Sequence, residues 1–186
     1  MAEELRTPRN IMRWSPAIAV LLWWTIRLTT TGRVPFETGI SIGVMVHFAL
    51  LIGVALTAVF QRIEGAGFID RFKLALRPAV LYALLASAST VCYHHVVCAQ
   101  ATELRLLERE RFIDQSLSDE SAFAALQEDD PALAAMDLDT ARERAKSSLR
   151  FQFDPMWHFT ASLLMWVAAA MSAVFFTSLL GQWLRS

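Results

Sequence analysis

Four histidines and two cysteines are the residues of this chain best suited to chemistry beyond packing: His47, His94, His95, His158, Cys92 and Cys98. Imidazoles ligate metals and pass protons, and thiolates are soft metal ligands. Cys92, His95 and Cys98 recur every third residue, and His94 and Cys98 are four apart. Both spacings place ligands on one flank of a helix. A metal site would then need His158 or His47 from a second helix. Two axial histidines from different helices would equally hold a haem. A third chemistry is a proton or ion path through the histidines with Arg27 or Tyr93, although the usual intramembrane Asp or Glu is missing.

Against these stands a plainer expectation. Each histidine satisfies its ring nitrogens locally, on hydroxyls such as Ser87, Thr90, Thr160 and Ser162, and the four do not converge. No CxxC or HExxH occurs, and no nucleophile–base pair, phosphate loop or paired-carboxylate motif. The sequence therefore leads to a non-enzymatic protein that needs no cofactor, with haem or transition-metal binding as the alternative and a small ion or proton transporter third.

The elements that would position these side chains are long apolar blocks. Of 186 residues, 55% are hydrophobic, and the apolar residues cluster. Residues 38–60, 78–100 and 156–181 are each long enough to cross a hydrocarbon core of roughly 30 Å as helix. A fourth span, 14–31, requires the helix to continue past Arg27, with that side chain snorkelling to the surface. The expected fold is thus all-α: a four-helix transmembrane bundle, one domain over 1–186, with an extramembrane helical hairpin at 101–155. Trp14, Trp23 and Trp24 suit the interfaces and outer surface of the first span. Pro16 suits its first turn, where a missing N–H costs nothing.

The second span carries Gly39 and Gly43, a GxxxG spacing, with Gly53 further along. Glycines four apart clear a groove for a neighbouring helix, within the bundle or in a second copy of the chain. Gly65 and Gly67 break the chain after this span. Residues 61–77 then mix apolar and basic side chains, as a short amphipathic helix lying on the cytosolic surface would. Phe68 and Phe72 share one face of it.

Gly65, Gly67, Phe68, Ile69, Phe72, Lys73 and Ala75, between two apolar spans, resemble the DUF4199 family of bacterial membrane proteins. Phe151, Phe153, Asp154 and Pro155 before the last span agree with that layout. The chain departs from it in being rich in Ala, Arg and Trp. The resemblance implies four spans and cytosolic ends, and it carries no catalytic residue.

Residues 101–155 hold thirteen acids and seven bases, a balance of −6, whereas the rest of the chain sums to +5. The bases are scattered and lack an aromatic-interleaved patch, which excludes a nucleic-acid binder. Residues 102–116 should continue the third span as a helix. Ser118 suits an N-cap, Asp130-Pro131 a helix restart, and Thr140 with Glu143 a capping box. Leu106, Ile113 and Leu117 line one arm and Leu138, Ala141, Ala145 and Leu149 the other, so the two arms either pack on each other or offer a docking surface to a partner.

Basic residues are denser in 1–13, 61–77 and the tail than in the first loop and the hairpin. By the positive-inside rule both termini are cytosolic and the protein belongs in a cell inner membrane. The function expected is that of an accessory subunit or scaffold, touching other membrane subunits or itself through its Gly/Ala faces or the hairpin.

Overall fold

A computed structural model describes residues 9–60, 67–118, 123–124, 127–128, 133 and 135–184. Among them the chain is all-helical. The helices are α1 (Arg9–Thr30), α2 (Phe36–Val59), α3 (Phe68–Cys92), α4 (Ala99–Ser116), α5 (Leu138–Gln152) and α6 (Pro155–Trp183). A π turn at Tyr93–Val97 joins α3 to α4. Three helical segments, Phe36–Val59, Phe68–Val97 and Pro155–Trp183, are long and apolar enough to cross a membrane. The chain divides into two compact units rather than one. The first holds Met1–Thr90 with Thr160–Ser186, the second Val91–Phe159.

The helix ends follow local chemistry. Thr31–Pro35 turns the chain between α1 and α2. Gly32 supplies its one positive φ, 74°, which glycine adopts without a Cβ clash. Asp154 caps α6: its Oδ1 accepts from the amides of Met156 and Trp157 at 2.9 and 3.0 Å. Pro155 takes the first helical position, where no amide is needed. Two expected boundaries move. Pro16 lies inside α1, because the helix already begins at Arg9. Residues 68–77 form no separate surface helix; they are the opening turns of α3, which runs unbroken through Pro78. Residues 61–66, including Gly65, lie outside the described residues, as does the Asp130-Pro131 restart.

The core of the first unit is built from small side chains. Ala55, Ala58, Ala75, Ala79, Ala83, Ala86 and Ala170 are fully buried, and Leu51, Tyr82, Trp166 and Val174 fill the space between them. Small residues let helix backbones approach closely, the packing that works where lipid removes the hydrophobic drive between helices. Phe68 and Phe72 face the same way, as their spacing predicts. Their rings lie 6.0 Å apart, and Phe68 meets Phe175 edge-on at 5.7 Å.

In the second unit α4 and α5 pair in antiparallel fashion. Arg150 binds Glu110 at 2.6 Å and Lys146 binds Asp114 at 2.7 Å. Arg142 Nη2 donates to the carbonyl of Leu117 at 2.7 Å. Beneath these, Leu117, Phe123 and Ala141 form a small core, flanked by Ile113, Leu133, Met136 and Leu138. The α5 cap is Asp137 rather than Thr140. Its carboxylate accepts from the Thr140 amide at 2.7 Å and the Thr140 hydroxyl at 2.9 Å. Those bonds hold the Asp137 carboxyl below its ordinary range. The Ser118 hydroxyl turns back to the Gln115 carbonyl at 2.8 Å.

Candidate functional site

The four histidines fall into two groups, one in each unit. His47 belongs to the first. It lies four residues after Gly43 on α2, so the two share a face, and that face is buried. The ring is 1% exposed. It stacks on Trp23 of α1 (4.4 Å between centroids, 15° between planes) and meets Trp166 of α6 edge-on at 5.1 Å. Its Nδ1 is 2.7 Å from the Tyr82 hydroxyl of α3. One imidazole thus ties together all four helices of the unit, and its hydroxyl partner is Tyr82 rather than a serine or threonine. Nε2 has no hydrogen-bond partner among the described residues.

A second polar contact between α1 and α2 lies beside it. Trp23 Nε1 donates to the carbonyl of Gly43 at 3.0 Å. Arg27, one turn on, is 2% exposed. Its Nη1 donates to the Gly39 carbonyl, and its guanidinium carbon lies 6.0 Å from the Trp23 ring centre. The snorkelling expected of Arg27 is therefore corrected: the side chain turns inward. The reason is the glycine pair. A Cβ on Gly39 would stand 2.9 Å from Arg27 Nη1, and one on Gly43 would stand 3.2 Å from Arg27 Cδ and Nε. The GxxxG groove receives an arginine from the preceding helix. Gly53, grouped with these glycines by sequence, is exposed and has nothing within 4 Å of where its Cβ would be, so it receives no neighbouring helix of the first unit.

Two residues that the sequence did not single out play a matching role at the other end of α2. Arg71 Nη1 donates to the Val59 carbonyl at 3.2 Å, among the last carbonyls of α2, where a cation complements the helix dipole. Gly181 of α6 makes room there: its Cβ would stand 2.5 Å from Val59 Cγ1. Neither residue belongs to a sequence motif, so only the packing reveals them.

The second group lies in the second unit. Tyr93–Val97, the sequence YHHVV, is the π turn, closed by the Cys98 amide on the Tyr93 carbonyl at 2.8 Å. π turns interrupt helices rarely and recur at functional sites. The Thr102 hydroxyl donates to the His94 carbonyl at 2.8 Å. On an α-helix, adjacent residues point about 100° apart, so only one of His94 and His95 could face a given partner squarely. The wider turn brings both to His158. Ring centroids are 5.3 Å apart for His94–His158 and 5.4 Å for His95–His158. His95 Nε2 lies 3.1 Å from His158 Nδ1.

The same turn breaks the three-residue spacing that suggested Cys92, His95 and Cys98 as a ligand set. Cys92 is exposed, Cys98 half-buried, and both are free thiols. Among the described residues no three His, Cys, Asp or Glu side chains gather closely enough to hold a metal ion.

Of the seven positions that resemble the family motif, Gly67, Ile69 and Lys73 are exposed, Phe68 and Phe72 half-buried, and Ala75 buried. No family model matches the chain, and neither a curated protein nor a solved structure does.

Proposed function

We propose that this chain is a small integral membrane protein of four spans that acts without catalysis, as an accessory subunit or scaffold. One observation carries the membrane part: beside its apolar core, the first unit buries charged and polar side chains and turns large apolar ones outward. Arg27, His47, Arg71, Ser87, Thr177 and Ser178 are buried, whereas Leu21, Met45, Ile52, Leu164, Met171 and Phe176 are exposed. In water such a distribution would expose a wide apolar patch and bury charge. In lipid it is the favourable arrangement.

The same distribution supports α1 as the fourth span. Its three tryptophans and Arg27 lower its hydropathy, yet Trp23 and Arg27 turn inward while Ile18, Leu21, Leu22 and Leu28 face out. Four spans place α4 and α5 together on one side, as a helical hairpin off the membrane, and both termini on the other. The density of bases puts the termini in the cytosol of a cell inner membrane.

The scaffold part rests on how the interior polar groups are used. His47 meets Tyr82, Trp23 meets Gly43, and Arg71 meets Val59, each a contact between helices. Purification in mild detergent tests it. A second chain at fixed stoichiometry, or a defined homo-oligomer, agrees with a subunit or scaffold. A monomer that turns over a substrate would contradict it.

A further inference from the structure

We infer that His95 and His158 form a two-imidazole site for one borderline divalent transition ion, of the Co2+, Ni2+, Cu2+ or Zn2+ class. The inference stands apart from the scaffold function and needs none of it. The facing nitrogens, His95 Nε2 and His158 Nδ1, are 3.1 Å apart. Metal–imidazole bonds are about 2.0–2.1 Å, so an ion held by both would subtend roughly 95–102°. That lies between the right angle of an octahedral or square site and the tetrahedral angle. In the metal-free pair the rings point straight at each other, with centroids 5.4 Å apart, so each ring must swing toward the ion for both to bind it as neighbours. Haem does not fit the same pair, because axial nitrogens stand across the iron at about twice the ~2 Å bond.

The surroundings suit an ion that keeps open positions. His95 and His158 are both half-buried, so the pair leaves room for further ligands on the ion. His94 lies beside His158 with its ring tilted 39°. The charges felt at the pair are Asp154 at His95 and Arg105 at His158. The π turn sets His95 toward its partner, which gives that irregular backbone a purpose. In the metal-free pair one ring donates its N–H to the other. Binding moves that proton to the other nitrogen of the same ring, so both facing nitrogens present lone pairs to the ion, both rings stay neutral and no proton is lost from the neutral pair. No redox step is involved.

The test uses the full chain in detergent, without a polyhistidine tag, with Cys92→Ser and Cys98→Ser to remove thiol binding. After chelator treatment, Co2+ and Cu2+ are titrated separately. One equivalent should bind. His95→Ala and His158→Ala should each abolish that equivalent, whereas His47→Gln should keep it. Pulsed electron paramagnetic resonance on the Cu2+-loaded protein should show two coupled imidazole nitrogens, a readout that needs no variant at either ligand. Absence of a stoichiometric ion would overturn the site. So would binding that survives in both alanine variants, as it would on the acidic surface of the second unit, or a spectrum with fewer than two nitrogens.

Discussion

Arg27 and Gly39 fit each other as donor and receptacle: Nη1 of Arg27 donates to the Gly39 carbonyl, and a Cβ on Gly39 would stand 2.9 Å from that nitrogen. The groove and its occupant are therefore coupled. Gly43→Leu should destabilise the first unit by about 1–3 kcal/mol, the range for overpacking a filled site. Shortening Arg27 to Ala in the same chain should return part of that loss, since contacting residues couple by about 0.5–3 kcal/mol. Thermal unfolding of the four proteins of the cycle in detergent measures it. Strict additivity would mean that the guanidinium does not occupy the groove.

Gly181 and Gly53 should respond in opposite directions. Gly181→Ala brings a methyl to 2.5 Å from Val59 Cγ1, so either α6 or α2 must shift, and stability should fall by about 1–3 kcal/mol. Val59→Ala should relieve it. Gly53→Ala meets open space in mid-helix and should be neutral or stabilising by up to about 1 kcal/mol. Equal losses at both positions would contradict the packing described.

The Tyr82 hydroxyl is a buried partner of His47 at 2.7 Å. Tyr82→Phe keeps the ring and removes that bond, leaving His47 Nδ1 buried without it. The expected cost is about 1–3 kcal/mol. His47→Phe together with Tyr82→Phe should cost less than the single change, because both polar groups then leave together. Chemical or thermal unfolding in detergent distinguishes the two. A silent Tyr82→Phe would show that the imidazole finds another donor or acceptor.

Asp137 sets the acid sensitivity of α5. Its carboxyl is held below the ordinary range by the Thr140 amide and hydroxyl, so the charged form is the one that caps. The cap is fully present above the unfolded carboxyl range, near pH 4, and is lost as the pH falls through the lower folded value. Amide exchange at residues 139–141 should accelerate only in that acid window. Asp137→Asn should keep the cap and remove the pH dependence. Acceleration unchanged in the Asn variant would assign the fraying to another group.

The apolar blocks made the helical class and three membrane-competent helices legible, because length and composition alone determine that property. The stripes that hold Leu117 and Ile113, and Ala141 and Leu138, were also readable at helical spacing, but that they meet each other rather than a partner shows only in the packing. Arg27 was misplaced because a basic residue near the end of a span ordinarily reaches for water; only the gap left by Gly39 and Gly43 on the next helix turns it inward. The meeting of His94 and His95 with His158 was hidden by the π turn, since the α-helical angle sets adjacent histidines apart and no residue in YHHVV announces a wider turn. Gly181 and Arg71 acquire a role only through α2, far away in sequence.

The most direct test of the four-span membrane account is the side on which the N-terminal segment lies. α1 is the helix in question, and it alone decides whether that segment shares a side with α4 and α5. Single cysteines at Thr7 and Ser118, in a Cys92→Ser, Cys98→Ser background, can be labelled in intact cells or sealed vesicles by a membrane-impermeant reagent. Four spans require labelling from opposite sides, with Ser118→Cys reached from outside the cell and Thr7→Cys only after the membrane is opened. Labelling of both from the same side would contradict the account and leave α1 lying on the membrane or outside it.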